Sequence, residues 1–147
     1  MISQTAEYAL RAIVYLAGNG DTPRTTRQIA DVTRVPVGYL AKVMQTLARS
    51  GIVRAQRGLH GGFALLAAPG ELTVLDVVQA VDPVRRIERC PLDIPEHTSL
   101  CPLHARLDDT AAMVEKSLGS STIAELLTAS KRGETPRPIC FDPGQAS

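Results

Sequence analysis

The chain has 147 residues, of which 44% are apolar and 21% charged, as in one ordinary globular domain. No apolar run approaches the roughly 18 residues that span a bilayer, and the N-terminus lacks a secretory pattern, so we expect a cytoplasmic protein with no membrane partner. Residues 1–70 hold eight Lys and Arg against three Asp and Glu (+5), whereas residues 71–147 hold eight against twelve (−4). A basic N-terminal half favours a polyanionic partner such as nucleic acid, although a solvated surface can carry the same charges.

Two helices are predicted at the N-terminus. Apolar residues recur at helical intervals over about residues 3–18, and a Gly-Asn-Gly sequence ends this pattern. Thr25 or Thr26 can cap a second, short helix that ends near Thr33. Pro36 then interrupts the chain and allows a third helix to begin after a turn of about four residues.

The third predicted helix covers residues 37–50 and has one apolar and one polar face. Two short helices joined by a tight turn, the second with a cationic face, are typical of a helix-turn-helix motif. Helical hairpins without any function in DNA binding are the alternative. The polar face available to DNA consists of Lys42, Gln45, Thr46 and Arg49.

A β-hairpin is predicted directly after this helix, with strands over residues 52–56 and 63–66. The turn between them is glycine-rich and has a basic tip that includes Arg57 and His60. A hairpin after a recognition helix is typical of the wing in a winged helix-turn-helix domain, and its glycines would let the backbone approach a phosphate closely. An ordinary surface hairpin is the alternative.

The second half of the chain is predicted to contain a helix, a loop and a long helix. Thr73 and Asp76 have the spacing of a capping box, and the helix that they begin ends near Pro83. The stretch that follows, up to residue 100, contains three prolines and no clear period, and a loop of that length is usually functional or disordered. Pro102 begins the long helix.

This long helix carries an apolar stripe formed by Leu103, Leu107, Ala111, Val114 and Leu118. We expect a dimer partner to cover it, and packing on the first helix is the alternative. A capped segment from Thr122 to Lys131 follows. The predicted fold is mainly α with a small β-hairpin: a winged helix-turn-helix domain over residues 1–82, a sensor or cofactor loop over 83–101, dimerisation helices over 102–131 and a mobile tail over 132–147.

The predicted DNA contacts follow from the positions of these side chains. Gln45 on the polar face of the third helix, or Tyr39 near the start of that helix, is expected to contact bases. Arg24, Arg57 and His60 are expected to contact phosphates or enter the minor groove. The supporting helix contributes Arg27.

Four segments together carry a family resemblance: Glu7-Tyr8-Ala9-Leu10-Arg11, the run from Tyr39 to Leu47, the wing from Arg57 to Phe63, and Cys101-Pro102-Leu103-His104. They resemble the Rrf2 type of bacterial winged-helix regulators, and within it the IscR-like and NsrR-like group of iron–sulfur or redox sensors. The resemblance covers about residues 1–130 and implies a homodimer with crossed long helices, which binds a palindromic operator in double-stranded DNA. It also implies that an iron–sulfur cluster near the dimer interface is frequent.

Cluster-binding members of this family resemble one another in having three cysteines in the loop, and here only Cys90 and Cys101 are present. The resemblance suggests a [2Fe–2S] cluster held by these two thiolates, by His104 and by Glu7 of the partner subunit. His97 is a further candidate ligand. A zinc site, a metal-free Cys90/Cys101 thiol switch and an organic effector are the alternatives, in which the histidines are solvated and Glu7 interacts with its helix dipole.

The sequence thus predicts a DNA-binding regulator, a repressor by resemblance, whose DNA occupancy follows a redox, nitric oxide or iron–sulfur signal. A thiol oxidoreductase or cluster carrier is the alternative of another class. Against an enzyme, the chain contains no C-x-x-C pair, no Ser/His/Asp order and no phosphate-binding glycine loop between a strand and a helix. Cys140, in the tail, is interpreted as an incidental thiol.

Overall fold

The computed structural model describes residues 2–96 and 98–128. Within these two ranges the chain is mainly helical, and its two strands form one antiparallel hairpin between the third and fourth helices. The predicted fold class is confirmed. The elements are α1 (Gln4–Gly18), α2 (Thr26–Thr33), α3 (Val37–Arg49), β1 (Val53–Gln56), β2 (Gly62–Leu65), α4 (Val74–Val81), α5 (Pro102–Gly119) and α6 (Ile123–Thr128).

Side-chain caps fix where the short helices α2 and α4 begin. The Thr25 hydroxyl accepts the backbone N–H of Gln28, and the Gln28 side chain accepts the backbone N–H of Thr25, which completes a capping box at α2. Thr73 and Asp76 form the same reciprocal pair at α4, as their spacing predicts. Because each cap satisfies N–H groups that a helix leaves unpaired, these short helices have defined first turns.

The core is built around α1, which packs against α2, α3, α4 and α6. Tyr15 is the largest fully buried side chain of the described residues. It belongs to a core cluster that is otherwise aliphatic and includes side chains from all these helices. Burial raises the pKa of the Tyr15 phenol, and the positive charge of Arg24 partly opposes this shift. A core made of Leu, Ile, Val and Ala with little aromatic content agrees with the composition.

The main neighbour of the long helix α5 is α4, not α1. Leu118, at its C-terminal end, contacts the core, whereas Leu103 and Leu107 are exposed. An intramolecular contact therefore covers only part of the apolar stripe. None of the helices in the described ranges is long and apolar enough to cross a membrane.

The first residues of the loop after α4 are fastened to α5. The Arg86 guanidinium donates to both oxygens of Asp108, at 2.7 Å and 2.8 Å, and to the Glu115 carboxylate at 3.1 Å. The backbone N–H of Ile87 also donates to Asp108, at 2.8 Å. These bonds hold the start of the loop along the long helix. The predicted mobile tail, Cys140 and His97 lie outside the described residues.

Candidate nucleic-acid interface

The outer face of α3 carries the polar side chains that the sequence predicts to contact DNA. Lys42, Gln45 and Arg49 are exposed, whereas Thr46 is half-buried and donates its hydroxyl to the Lys42 carbonyl oxygen at 3.1 Å. The opposite face is buried in the core, so three long polar side chains point toward solvent, where a duplex can reach them. The buried side chains are Leu40, Val43, Met44 and Leu47.

Tyr39, in the first turn of α3, is tied to the N-terminal half of α1. Its hydroxyl forms a hydrogen bond with the Thr5 hydroxyl, and its ring meets Tyr8 edge-on with 5.5 Å between centroids. The Arg11 guanidinium lies 5.3 Å from the centre of the Tyr8 ring. These contacts orient Tyr39, which is still 40% exposed. Its contact with bases stays a prediction.

The turn between α2 and α3 is fixed by side chains of α1 and α2. Thr33 donates its hydroxyl to the Ile29 carbonyl oxygen at 2.7 Å, and Arg11 donates to the Thr33 carbonyl oxygen at 3.1 Å. Arg34 follows with a left-handed backbone (φ 57°) and is exposed. This cation was missed at the sequence level, although its position directly after the capped helix α2 could have indicated it.

The wing is anchored to the segment between α1 and α2. Strands β1 and β2 pair in the register Val53–Leu65 to Gln56–Gly62. Arg24 then forms a backbone bridge to Phe63 on β2. The Arg24 N–H donates to the Phe63 carbonyl oxygen at 2.9 Å, and the Phe63 N–H donates to the Arg24 carbonyl oxygen at 2.7 Å. The hairpin therefore has a third short extended partner, which restricts its movement relative to the helices.

Two wing glycines are required by close approaches within the protein. A Cβ at Gly62 would lie 2.4 Å from the Arg24 carbonyl atoms, and one at Gly61 would lie 2.4 Å from the Gln56 carbonyl oxygen. The sequence predicted that the wing glycines serve approach to a phosphate. For these two positions, the structure gives a reason within the protein: only glycine fits against the Arg24 backbone at Gly62 and against the backbone of the hairpin's own turn at Gly61.

The remaining cationic candidates differ in their surroundings. Arg27, Arg57 and His60 are exposed. Arg24 is half-buried, and its guanidinium donates to the Asn19 side chain at 3.0 Å, which holds it against the end of α1. Arg54 on β1 is exposed as well and was not predicted, because a strand this short does not show from its sequence which side chains face solvent.

The charges of this region have one sign. Residues 32–70, which contain the turn, α3 and the wing, include five Lys and Arg and no Asp or Glu. An uninterrupted cationic segment on exposed positions is the electrostatic property that phosphate binding requires.

The candidate metal ligands are brought together only in part. Cys101 is the N-cap residue of α5, and its Sγ lies 3.2 Å from the Nδ1 atom of His104. Cys90 is a half-buried free thiol. Glu7 is exposed and accepts a 2.7 Å hydrogen bond from Arg11, four residues later on α1. In the part of the chain that the structure describes, no three His, Cys, Asp or Glu side chains are grouped to hold a metal.

This arrangement does not by itself fit a [2Fe–2S] cluster, which takes four protein ligands. One chain supplies a Cys–His pair, and its Glu7 carboxylate accepts a hydrogen bond from Arg11, so the role of Glu7 as a ligand stays a prediction. Further ligands would have to come from a rearranged loop or from a second subunit.

A helical core around α1, a cationic helix that is exposed after a tight turn, and a hairpin directly behind it define a winged helix-turn-helix protein. The comparisons with known proteins agree. The family model of Rrf2, described as an iron-dependent transcriptional regulator, matches residues 2–129. The chain therefore belongs to the Rrf2 family and is a DNA-binding transcriptional regulator, not an enzyme.

Among related proteins, one from Aquifex aeolicus (strain VF5) is named as an HTH-type transcriptional regulator. It is 30% identical over 137 residues, which are 90% of this chain and 94% of the relative. Among solved structures, CymR (YrzC), the global cysteine regulator of B. subtilis, is similar with a TM-score of 0.73 and 22% identity, over 89% of this chain and 98% of CymR. IscR of T. potens has a TM-score of 0.74 and 20% identity, over 93% of each chain.

Proposed function

We propose that the protein is a homodimeric repressor that recognises a palindromic operator, with α3 of each subunit in a major groove and the wing beside it. The observation that carries this proposal is the exposed cationic face built from α3 and the wing, which contains no acidic residue over positions 32–70. The wing is bridged to the segment before α2 through Arg24 and Phe63, and its first strand packs against α3, so α3 and the wing form one structural unit. Such a unit suits one half-site of a duplex.

The dimer is supported by the uncovered part of the apolar stripe on α5. Leu103 is 64% exposed and Leu107 is 49% exposed. A cavity with a volume of about 280 Å³ lies beside Leu107, between the N-terminus of α1, the end of α4 and one face of α5. A second copy of α5 that crosses this face would remove these side chains from water, which favours association.

The oligomeric state tests this part directly. Sedimentation velocity of the full chain is expected to give a dimer, and Leu107→Asp is expected to give a monomer. Met113→Asp is the matched control, since Met113 is 68% exposed on the same helix but lies off the stripe. A monomeric wild type, or a Leu107→Asp variant that stays dimeric, would contradict the proposed interface.

DNA recognition is tested by selection from a random duplex pool, followed by titration of the selected sequence. The wild type is expected to enrich an inverted repeat. The double variant Lys42→Ala/Arg49→Ala is expected to bind at least tenfold more weakly, because each lost phosphate contact reduces the release of counterions. Arg106→Ala, an exposed cation on α5, is the control. If no duplex sequence is enriched, the proposal fails.

For the signal, we propose a [2Fe–2S] cluster that is completed only in the dimer by Cys90, Cys101 and His104 with Glu7 of the partner subunit. The proximity of Cys101 and His104 at the start of α5 supports the choice of these two donors. The similarity to T. potens IscR and the family's description as iron-dependent are consistent with iron sensing. A Cys90/Cys101 thiol switch is the competing proposal, and CymR, a cysteine regulator, is equally similar in fold.

The two proposals for the signal give different measurements. Anaerobically purified protein with about two iron and two sulfide per subunit would support the cluster. Colourless protein whose Cys90 and Cys101 become linked by a disulfide on mild oxidation would support the thiol switch. Cys101→Ser is expected to abolish either property, whereas Cys140→Ser is the control and is expected to keep it.

A further inference from the structure

Leu59, at the tip of the wing, is the most exposed large apolar side chain among the described residues, with 96% of its surface open to solvent. The hydrophobic effect gives such a side chain no role in stabilising the folded monomer. Its position at the wing tip leaves the whole side chain available to contact a partner.

The tip holds this leucine in a defined direction. The backbone N–H of Gly61 donates to the Gly58 carbonyl oxygen at 3.0 Å, which closes a four-residue turn. Leu59 and His60 occupy the two corners of that turn, and both are exposed. The base of the hairpin is fixed by the bridge between Arg24 and Phe63. The wing is therefore a short arm with a leucine at its end.

The charge around the tip indicates what the leucine meets. Arg57 precedes the turn, Arg54 lies on β1, and both are exposed. Because residues 32–70 contain no Asp or Glu, an acidic protein surface and a nucleic-acid duplex both complement the charge of the tip. The duplex is favoured because the tip continues the cationic face of α3. A wing beside a major-groove helix reaches the neighbouring minor groove, whose walls are deoxyribose C–H groups.

We propose that Leu59 inserts into the minor groove next to each half-site and packs against the sugars that line it. This inference rests on the proposed function. Leu59 has no hydrogen-bonding group in its side chain, so it adds affinity through apolar contact and groove shape, and the arginines beside it contact the phosphates. This contact holds the wing in the minor groove and does not distinguish one base pair from another, so Leu59 is a positioning residue.

The test is a salt titration of the full-length protein on the duplex that the wild type selects. Leu59→Ala is expected to weaken binding about fivefold to tenfold through lost apolar contact. The slope of log K against log salt is expected to stay unchanged, because no phosphate contact is lost. Leu59→Met, which conserves volume and apolar character, is expected to restore binding to within about twofold.

Two controls separate this effect from a loss of folding. Leu66→Ala makes the same chemical change at the base of the hairpin, where the leucine is 56% exposed, and is expected to bind like the wild type. The thermal midpoint of Leu59→Ala is expected to match the wild type, because the side chain is in solvent. Hydroxyl-radical footprints of the variant are expected to lose protection only in the minor groove that flanks each half-site.

The possible failures are distinct. If the wild type selects a duplex and Leu59→Ala binds it within twofold of Leu66→Ala with an unchanged footprint, the inference about Leu59 is wrong and the proposed function stands. If the wild type prefers no duplex, both are overturned.

Discussion

Arg86 and Asp108 form a two-pronged ion pair that joins the loop after α4 to the long helix, with distances of 2.7 Å for Nε–Oδ1 and 2.8 Å for Nη2–Oδ2. Parallel hydrogen bonds of this kind add geometric specificity to the charge attraction. Since the loop connects the DNA-binding helices to the proposed dimer helix, this pair fixes how the loop starts along α5. Its contribution should also depend on pH.

Stability should fall at low pH partly through Asp108. The Arg86 guanidinium, and then the Ile87 N–H, lower the pKa of the Asp108 carboxyl from its ordinary 3.8 to about 2. A lowered pKa in the folded state means that the pair stabilises the fold fully above about pH 4 and that this contribution disappears as the pH falls through about 2. Asp108→Asn should therefore show a smaller loss of thermal midpoint than the wild type between these pH values.

Circular dichroism melts at a series of pH values between 7 and 2 measure this difference. Asp109→Asn is the matched control, since Asp109 is exposed on the same helix. Identical pH dependence in the two variants would contradict the assignment to Asp108.

Tyr15→Phe is expected to leave the free energy of unfolding unchanged or to raise it by about 1 kcal/mol. The phenol is fully buried, and its hydroxyl makes no hydrogen bond to the described residues. Removing the hydroxyl therefore removes a polar group whose desolvation is not compensated. Urea denaturation provides the measurement, and Tyr8→Phe, which loses the 2.9 Å bond from Gln4, is the comparison. A clear loss of stability in Tyr15→Phe would show that the hydroxyl is satisfied.

Gly62→Ala is expected to destabilise the protein by about 2 kcal/mol, with a similar or larger loss of DNA affinity. The new methyl group would lie 2.4 Å from Arg24 backbone atoms and would open the bridge that anchors the wing. Gly70→Ala, where a Cβ meets nothing within 4 Å, is the control and should change stability little. Thermal melts and DNA titration of both variants check this. An unaffected Gly62→Ala protein would mean that the anchor is dispensable.

Gln45 and Arg57 are expected to affect DNA binding in different ways. Gln45→Ala should lose about 1–3 kcal/mol of discrimination at one base pair, with an unchanged salt slope. Arg57→Ala should weaken binding to all sequences and reduce the slope by about 1. Titrations on the selected operator and on single-base variants give both quantities, with Lys116→Ala on α5 as control. An unchanged salt slope for Arg57→Ala would remove Arg57 from the phosphate contacts.

Most of the fold could be predicted from local pattern. The spacing of apolar residues gives α1 and α3 to within one or two residues, and the capping pairs at Thr25 and Thr73 form as expected. These features depend on interactions between residues three or four apart, which a sequence displays directly.

The environment of each candidate site residue could be predicted less well. Arg24 was expected on the DNA side, but its guanidinium is held by Asn19 while its backbone anchors the wing. Glu7 was expected to be a ligand, and it is paired with Arg11. The bridge between Arg24 and Phe63 joins segments that are distant in the chain, which periodicity does not show. The pairing of Glu7 with Arg11 has the i, i+4 spacing of a helix surface and is visible in the sequence.

The sequence by itself determined the order of the helices, the position of the wing and the positive charge of residues 32–70, because these depend on residue type and short-range spacing. Only the tertiary structure decided that the Arg24 backbone pairs with the hairpin, and that Gly61 and Gly62 lie too close to other backbone atoms to carry a side chain. It also decided that Leu103 and Leu107 on α5 stay exposed. The approach at Gly61 lies within the hairpin turn, whereas the other three depend on how segments distant in the chain pack together. Such contacts arise from the packing of the whole core, which no local pattern encodes.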